Sequence, residues 1–159
     1  MGNIISNFTG MDGRLNRQPW WIGMIVLGII QFIVLWIVGL IIPGGTIPLD
    51  GTADVNAIAA VLQRSGWIGL VIALIFAYPF LALAVKRRHD KNNNGYDAYG
   101  FIVVELLYYI VMGLGLTLGI VGTIVGAIFG IYGIYMLVVL GFLKGTAGAN
   151  NYGPDPLQG

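Results

Sequence analysis

Trp20-Trp21-Ile22-Gly23-Met24-Ile25-Val26-Leu27-Gly28-Ile29-Ile30-Gln31-Phe32-Ile33-Val34-Leu35-Trp36-Ile37-Val38-Gly39-Leu40-Ile41-Ile42 runs for 23 residues without a charge. As an α-helix it measures roughly 35 Å, enough to cross a hydrocarbon core of about 30 Å with some tilt. It is too long for a signal-peptide core and no small-residue cleavage site follows it. The expectation is therefore a retained transmembrane helix, ended by Pro43-Gly44-Gly45.

The rest of the chain agrees with that environment. Of its 159 residues, 57% are apolar and only 9% charged, and the mean hydropathy is +0.84. A soluble domain carries about 25% charge, so this chain has too few polar groups to cover a water-facing surface. The same composition excludes disorder, which needs low hydrophobicity and high charge. A net charge of +1 supplies no field for nucleic acid. With no cysteine, disulfides, zinc–thiolate sites, iron–sulfur clusters and cysteine nucleophiles are excluded, and a lone His89 excludes a multi-histidine metal centre. No cofactor is expected.

Two further apolar runs complete the count. Trp67–Val85 has 19 residues, with Pro79 near its end as an expected kink. Tyr99–Leu143 has 45 residues and one charge, Glu105. As one helix that run would measure about 68 Å, twice the membrane, so it must fold back. Met112-Gly113-Leu114-Gly115-Leu116 is the expected turn, giving helices near 99–113 and 116–143. The fold class is thus all-α, a polytopic helical bundle of four transmembrane helices in a single membrane domain, 1–159. Its spans are placed at about 20–42, 67–85, 99–113 and 116–143.

Basic residues orient it. Arg14, Arg17, Lys86, Arg87, Arg88, Lys91 and Lys144 fall on alternate segments, against Arg64 alone in the others. By the positive-inside rule both termini, the 86–98 loop and the 144–159 tail are expected in the cytoplasm and the 43–66 loop outside. Trp20, Trp21, Trp67, Tyr96 and Tyr99 stand at span ends, where amphipathic rings favour the headgroup zone. In the outer loop Asp54 is suited to cap a short helix, Val55–Arg64, lying on the outer membrane surface.

Gly115, Gly119, Gly122, Gly126, Gly130 and Gly133 recur every 3 or 4 residues. On one helix they share a face, and small residues at such spacings let helix backbones approach closely in lipid. The face, with Gly115 as its weakest member, packs either against another helix of this chain or against a second copy, a partner subunit or a flat ligand.

Three segments stand beside the spans: Gly13-Arg14-Leu15-Asn16-Arg17-Gln18-Pro19-Trp20-Trp21, Lys86-Arg87-Arg88-His89-Asp90, and Lys144-Gly145-Thr146-Ala147-Gly148-Ala149-Asn150-Asn151-Tyr152-Gly153-Pro154-Asp155-Pro156. In this order they resemble the YhaH-like family of small bacterial inner-membrane proteins, a domain of unknown function. Its pattern reads approximately G-R-x-x-R-x-x-[FW]-W, R-R-x-H-D and G-x-x-G-x-N-x-[FY]-G-x-x-P. The likeness covers about residues 10–157. The chain departs from it where His89 directly follows Arg88, and where Asn94-Gly95-Tyr96-Asp97 replaces a Ser-Gly-Trp-Trp. The resemblance implies a bacterial inner membrane and a helical bundle, and no activity.

The expected topology puts the three segments on one face, so Arg14, Arg17, Arg87 and Arg88 are expected to converge with His89, Asp90, Asn150 and Tyr152. The cluster is either a set of caps and salt bridges locking helix ends together, or a site for phosphate or anionic lipid headgroups, which arginine forks suit. One histidine is too few for a metal-dependent phosphohydrolase. Ser6 and Ser65 fall on opposite sides of the membrane, which disfavours a Ser-His-Asp arrangement. Inside the membrane, Glu105 is the one charge in a span, roughly 9 Å below Tyr99, with Tyr78 and Tyr135 at roughly 10–12 Å from their own span ends. These heights allow a candidate polar layer of Glu105, Tyr78 and Tyr135, with Arg87 or Arg88 folding back toward it. In it Glu105 is either a structural hydrogen-bonded or ion-paired acid or part of a proton or ion relay. Gln31 is expected to bond a neighbouring helix.

Myristoylation and glycosylation patterns at Met1–Ser6 and Asn7–Thr9 are discounted, the first for a bacterial source and the second for a cytoplasmic N-terminus. The reading that follows is a non-enzymatic accessory or scaffold subunit, acting by association with another membrane protein or a second copy and with membrane lipids. The glycine face Gly119, Gly122, Gly126, Gly130 and Gly133 is its candidate docking surface. The alternative is a small channel, transporter or anionic-lipid-binding protein using Glu105 and the arginines.

Overall fold

A computed structural model describes residues 5–42 and 54–158. It is all-helical: α1 (Ser6–Thr9), α2 (Arg17–Ile41), α3 (Val55–His89), α4 (Tyr96–Gly113) and α5 (Ile120–Leu137), whose turns widen into a π-helical stretch, Val138–Phe142. Four helices are long and apolar enough to cross a membrane: α2, α3, α4 and the continuous Ile120–Phe142. Among the described residues there is no strand, and one antiparallel bridge pairs Asn150 with Gly153. The expected Pro43-Gly44-Gly45 stop and the Met1–Ser6 pattern lie wholly or partly outside the described residues.

Helix α3 is the central element, packed against α1, α2, α4 and the π-helical end of α5. It spans 35 residues, about 52 Å. The Asp54 side chain caps it as expected, accepting from the Ala57 amide at 2.7 Å. The separate surface helix over 55–64 does not occur, because its backbone continues without a break through Gly66 into the second span. Gly66 makes no turn at that junction and is used instead for a close approach. A Cβ there would sit 2.7 Å from the carbonyl carbon of Met112. The neighbouring Gly69 faces the ring of Tyr109 and Gly113 faces that of Trp67, so α3 and α4 are pinned together at the end remote from Arg87 and Arg88.

The break between α4 and α5 falls where the apolar run was expected to turn. Gly115 adopts φ +76°, a conformation that favours glycine, and its amide donates to Met112 at 3.0 Å. This changes the glycine face. Gly115 is in the turn, Gly119 is the N-cap of α5, and Gly122 is covered by Leu116 and Thr117 of the turn. Only Gly126 and Gly133 look onto α4, at ordinary distance from the rings of Tyr108 and Phe101, and Gly130 has nothing near it. The period was right and the helix start was not, so the stripe divides between turn, cap and helix. Close approaches between one helix and another are made elsewhere, by Gly66, Gly69 and Gly113, by Gly23 against Leu83, and by Gly141 against Trp21.

Helix α2 is held differently. Its buried residues are Trp20, Gly23 and Leu27, all in its first half. Phe32, Trp36, Leu40 and Ile41 beyond them are exposed.

Candidate functional site

Residues 86–88 are three consecutive cations on α3. Successive side chains on a helix diverge by about 100°, and these three reach different parts of the molecule. Lys86 Nζ donates to the Ser6 carbonyl at 2.8 Å. Arg88 grips Asp97 of α4 with Nε at 3.0 Å and a second nitrogen at 3.0 Å. Arg87, fully buried, points into the end of α5.

The π-helical stretch presents its last carbonyls to donors from the rest of the chain. Arg87 Nε donates to Leu140 O at 2.8 Å and another of its nitrogens to Leu143 O. Trp21 Nε1 donates to Gly141 O at 3.1 Å and Arg17 to Phe142 O at 3.3 Å. Gly141 permits this, because a Cβ would sit 2.7 Å from Trp21 Cζ2. Cations are favoured at a helix C-terminus, where unpaired carbonyls carry partial negative charge.

Asp90 joins the two arginines. One carboxylate oxygen accepts from Arg14 Nε at 3.1 Å and its terminal nitrogen at 3.0 Å, while the other accepts from Arg87. Its backbone oxygen receives the Thr146 amide at 2.8 Å, and a Cβ on Gly145 would run into its carboxylate. Arg14 then reaches through the tail to Gly148 O at 2.6 Å and Thr146 O at 2.7 Å. Asn150 Nδ2 donates to His89 O at 2.9 Å. The Tyr152 ring stacks on His89 with centroids 3.8 Å apart, and His89 Nδ1 lies 3.1 Å from Gly13 O.

Arg14, Arg17, Arg87, His89, Asp90, Asn150 and Tyr152 thus form one knot at the arginine end of the bundle. Arg88 does not belong to it and pairs instead with Asp97, which sequence reasoning passed over. Asp97 also accepts from Tyr135 at 2.9 Å through its carboxylate and from Tyr132 at 2.7 Å through its backbone oxygen. Its position in the first turn of α4, just after a basic loop, was the available signal. The donors of Arg14 and Arg87 are taken up by carbonyls and Asp90. Beside the knot is a hollow of ≈ 340 Å³ lined in part by Asn16, Arg17, Lys144 and Asp155. Asn16 Oδ1 is buried there without a hydrogen bond. Outside the spans, the Asp155 carboxyl is held below its usual range by the amides of Leu157 and Gly148 that donate to it.

The expected polar layer does not assemble. Tyr78 donates to Thr9 O at 2.9 Å and Tyr135 to Asp97, so neither turns toward Glu105. Their heights matched, but the rotation of each helix points them elsewhere. Glu105 instead lines a cavity of ≈ 250 Å³ between α2, α3 and α4 together with Gln31.

The architecture defines the class: a small all-helical protein with four membrane-capable helices, closed at one end by a buried arginine–aspartate knot. The chain belongs to the DUF805 family, described as a protein of unknown function, whose model matches residues 8–154. It is 24% identical over 160 residues to the inner membrane protein YhaI of Escherichia coli K12, with 99% of this chain and 94% of that protein covered. YhaI of Escherichia coli O157:H7 is similar to the same extent. No solved structure matches. The resemblance to YhaH-like inner-membrane proteins agrees with this membership.

Proposed function

We propose that this chain is a non-catalytic accessory or scaffold subunit of a bacterial inner membrane, acting by helix–helix association. The carrying observation is α2: after Leu27 it buries no residue among those described, and apart from the half-buried Gln31, Val34 and Val38 the second half of the first span is mostly exposed. Within lipid, apolar surface alone does not drive helices together, and association draws on packing and interhelical hydrogen bonds. The knot supports the non-catalytic reading, since Arg14 and Arg87 act as ties between helix ends. Seven basic residues on the segments of that end support placing it, and both termini, in the cytoplasm.

The test is a photo-crosslinking residue at Phe32, Trp36 or Leu40 in the native membrane. A discrete protein adduct, or a dimer of this chain, is expected. Adducts with lipid alone at all three positions would contradict the proposal.

A second reading rests on the hollow beside the knot. Arg17 and Lys144 have no ion pair among the described residues, which suits an anionic headgroup. Lys144→Gln should then lower the anionic lipid retained on purification, and unchanged retention would remove this reading.

A further inference from the structure

The Glu105 cavity has a shape imposed by where the helices touch. At the arginine end α2 is drawn onto α3 at Gly23, where a Cβ would sit 2.7 Å from Leu83. At the other end α4 is drawn onto α3 at Gly66 and Gly69. Between these points Gly28 has nothing within 4 Å of its Cβ position, and Ala73 and Ala77 leave the α3 side of the gap unfilled.

The walls are of two kinds. Phe76, Phe80 and Phe101 supply aromatic surface, with the Phe80 and Phe101 ring centroids 5.5 Å apart. Gln31 and Glu105 supply the polar groups. Glu105 lies nine residues past Tyr96, about 13 Å along α4 and well inside a span. Among the described residues no ion pair reaches its carboxylate, because the ion pairs all involve Asp90 or Asp97. An acid inside a span is expensive unless a partner meets it.

We propose that this cavity is a binding site for a small organic cation, an ammonium bearing apolar substituents. Its charge sits against Glu105 and its substituents lie among the phenylalanine rings, whose faces attract cations. A divalent metal ion is a poor fit, since it needs about six oxygen ligands and the walls offer Glu105 and Gln31. A volume of ≈ 250 Å³ lies just under the usual pocket range of about 300–1,000 Å³, which limits the occupant to a small amine. The ammonium could be that of a free amine or that of a lipid headgroup.

The experiment titrates the full chain, in neutral maltoside micelles, with benzyltrimethylammonium and separately with its uncharged carbon isostere neopentylbenzene, followed by calorimetry. Saturable binding of the cation is expected, at least tenfold tighter than any binding of the isostere. Glu105→Gln should weaken it at least tenfold, and so should Ala77→Leu, which fills the cavity and leaves the charge in place. Equal binding of the isostere overturns the proposal on wild-type protein alone, whether or not a variant folds. So does a folded Glu105→Gln protein that binds like wild type, or no saturable binding of the cation. Added phosphatidylethanolamine that competes with the probe identifies a lipid ammonium as the source, and undiminished binding identifies a free amine.

Discussion

Arg87 has no exposed surface, and its nitrogens donate to Leu140 O, Leu143 O and Asp90. A buried charge is tolerated only when it is paired and hydrogen-bonded, and removing one partner of such a pair costs more than the pair itself contributes. Asp90→Asn leaves Arg14 and Arg87 without their shared counter-charge. It should destabilise the protein by about 3–5 kcal/mol, read as an earlier midpoint in detergent unfolding; an unchanged midpoint would show that the knot carries no stability. Arg87→Lys should not rescue, because one ammonium cannot reach two carbonyls and a carboxylate in the way a planar fork does. At Gly141 an alanine Cβ would meet Trp21 at 2.7 Å and Trp20 at 3.1 Å, so Gly141→Ala should cost about 1–3 kcal/mol by overpacking. Asp155 gives a pH dependence. Its folded-state pKa is depressed by two backbone amides, so its contribution to the tail turn is present above the unfolded carboxylate range. That contribution is lost as pH falls through the lower folded value, and amide exchange at Gly148 should quicken there relative to the knot.

Among the helices, the glycines make opposite predictions. Gly66→Ala would drive a methyl into the α4 backbone at Met112 and Gly113, whereas Gly130→Ala meets nothing. The first should lower the unfolding midpoint, and the second should leave it unchanged or raise it slightly through helix propensity. The reverse order would contradict the observed packing of α3 on α4. These elements also show what was legible in the sequence. The uncharged run over 20–42, the turn near Gly115 and the convergence of three motifs at one end followed from length, charge and chain reversal alone. What was missed concerns rotation. A rise of 1.5 Å per residue gives the height of Tyr78, Tyr135 and Glu105 in a span, but the direction of each side chain depends on how its helix is turned by packing. For the same reason Arg88 was grouped with Arg87, although one residue of helix carries it round to Asp97. The continuity of α3 past residue 66 was hidden because Asp54 signals a helix start and nothing local signals whether that helix stops.

Among the described residues, two of the fastenings stand at opposite ends of the molecule. The knot ties the segment before α2, the end of α3 and the chain after α5 at one end, while Gly66, Gly69 and Gly113 join α3 to α4 at the other. Among the described residues α2 buries side chains only as far as Leu27, and most of its surface beyond that point depends on whatever surrounds it. With the knot placed in the cytoplasm, a cysteine at Asn94 should be labelled by a membrane-impermeant reagent only after the inner membrane is opened. Labelling in intact spheroplasts would invert the proposed orientation. The claim that the chain acts by association is tested most directly by native mass spectrometry of the tagged protein, taken from its own membrane in mild detergent. The account predicts a stoichiometric complex with a second membrane protein or another copy of this chain. A monomer with no protein partner across several mild detergents would contradict it.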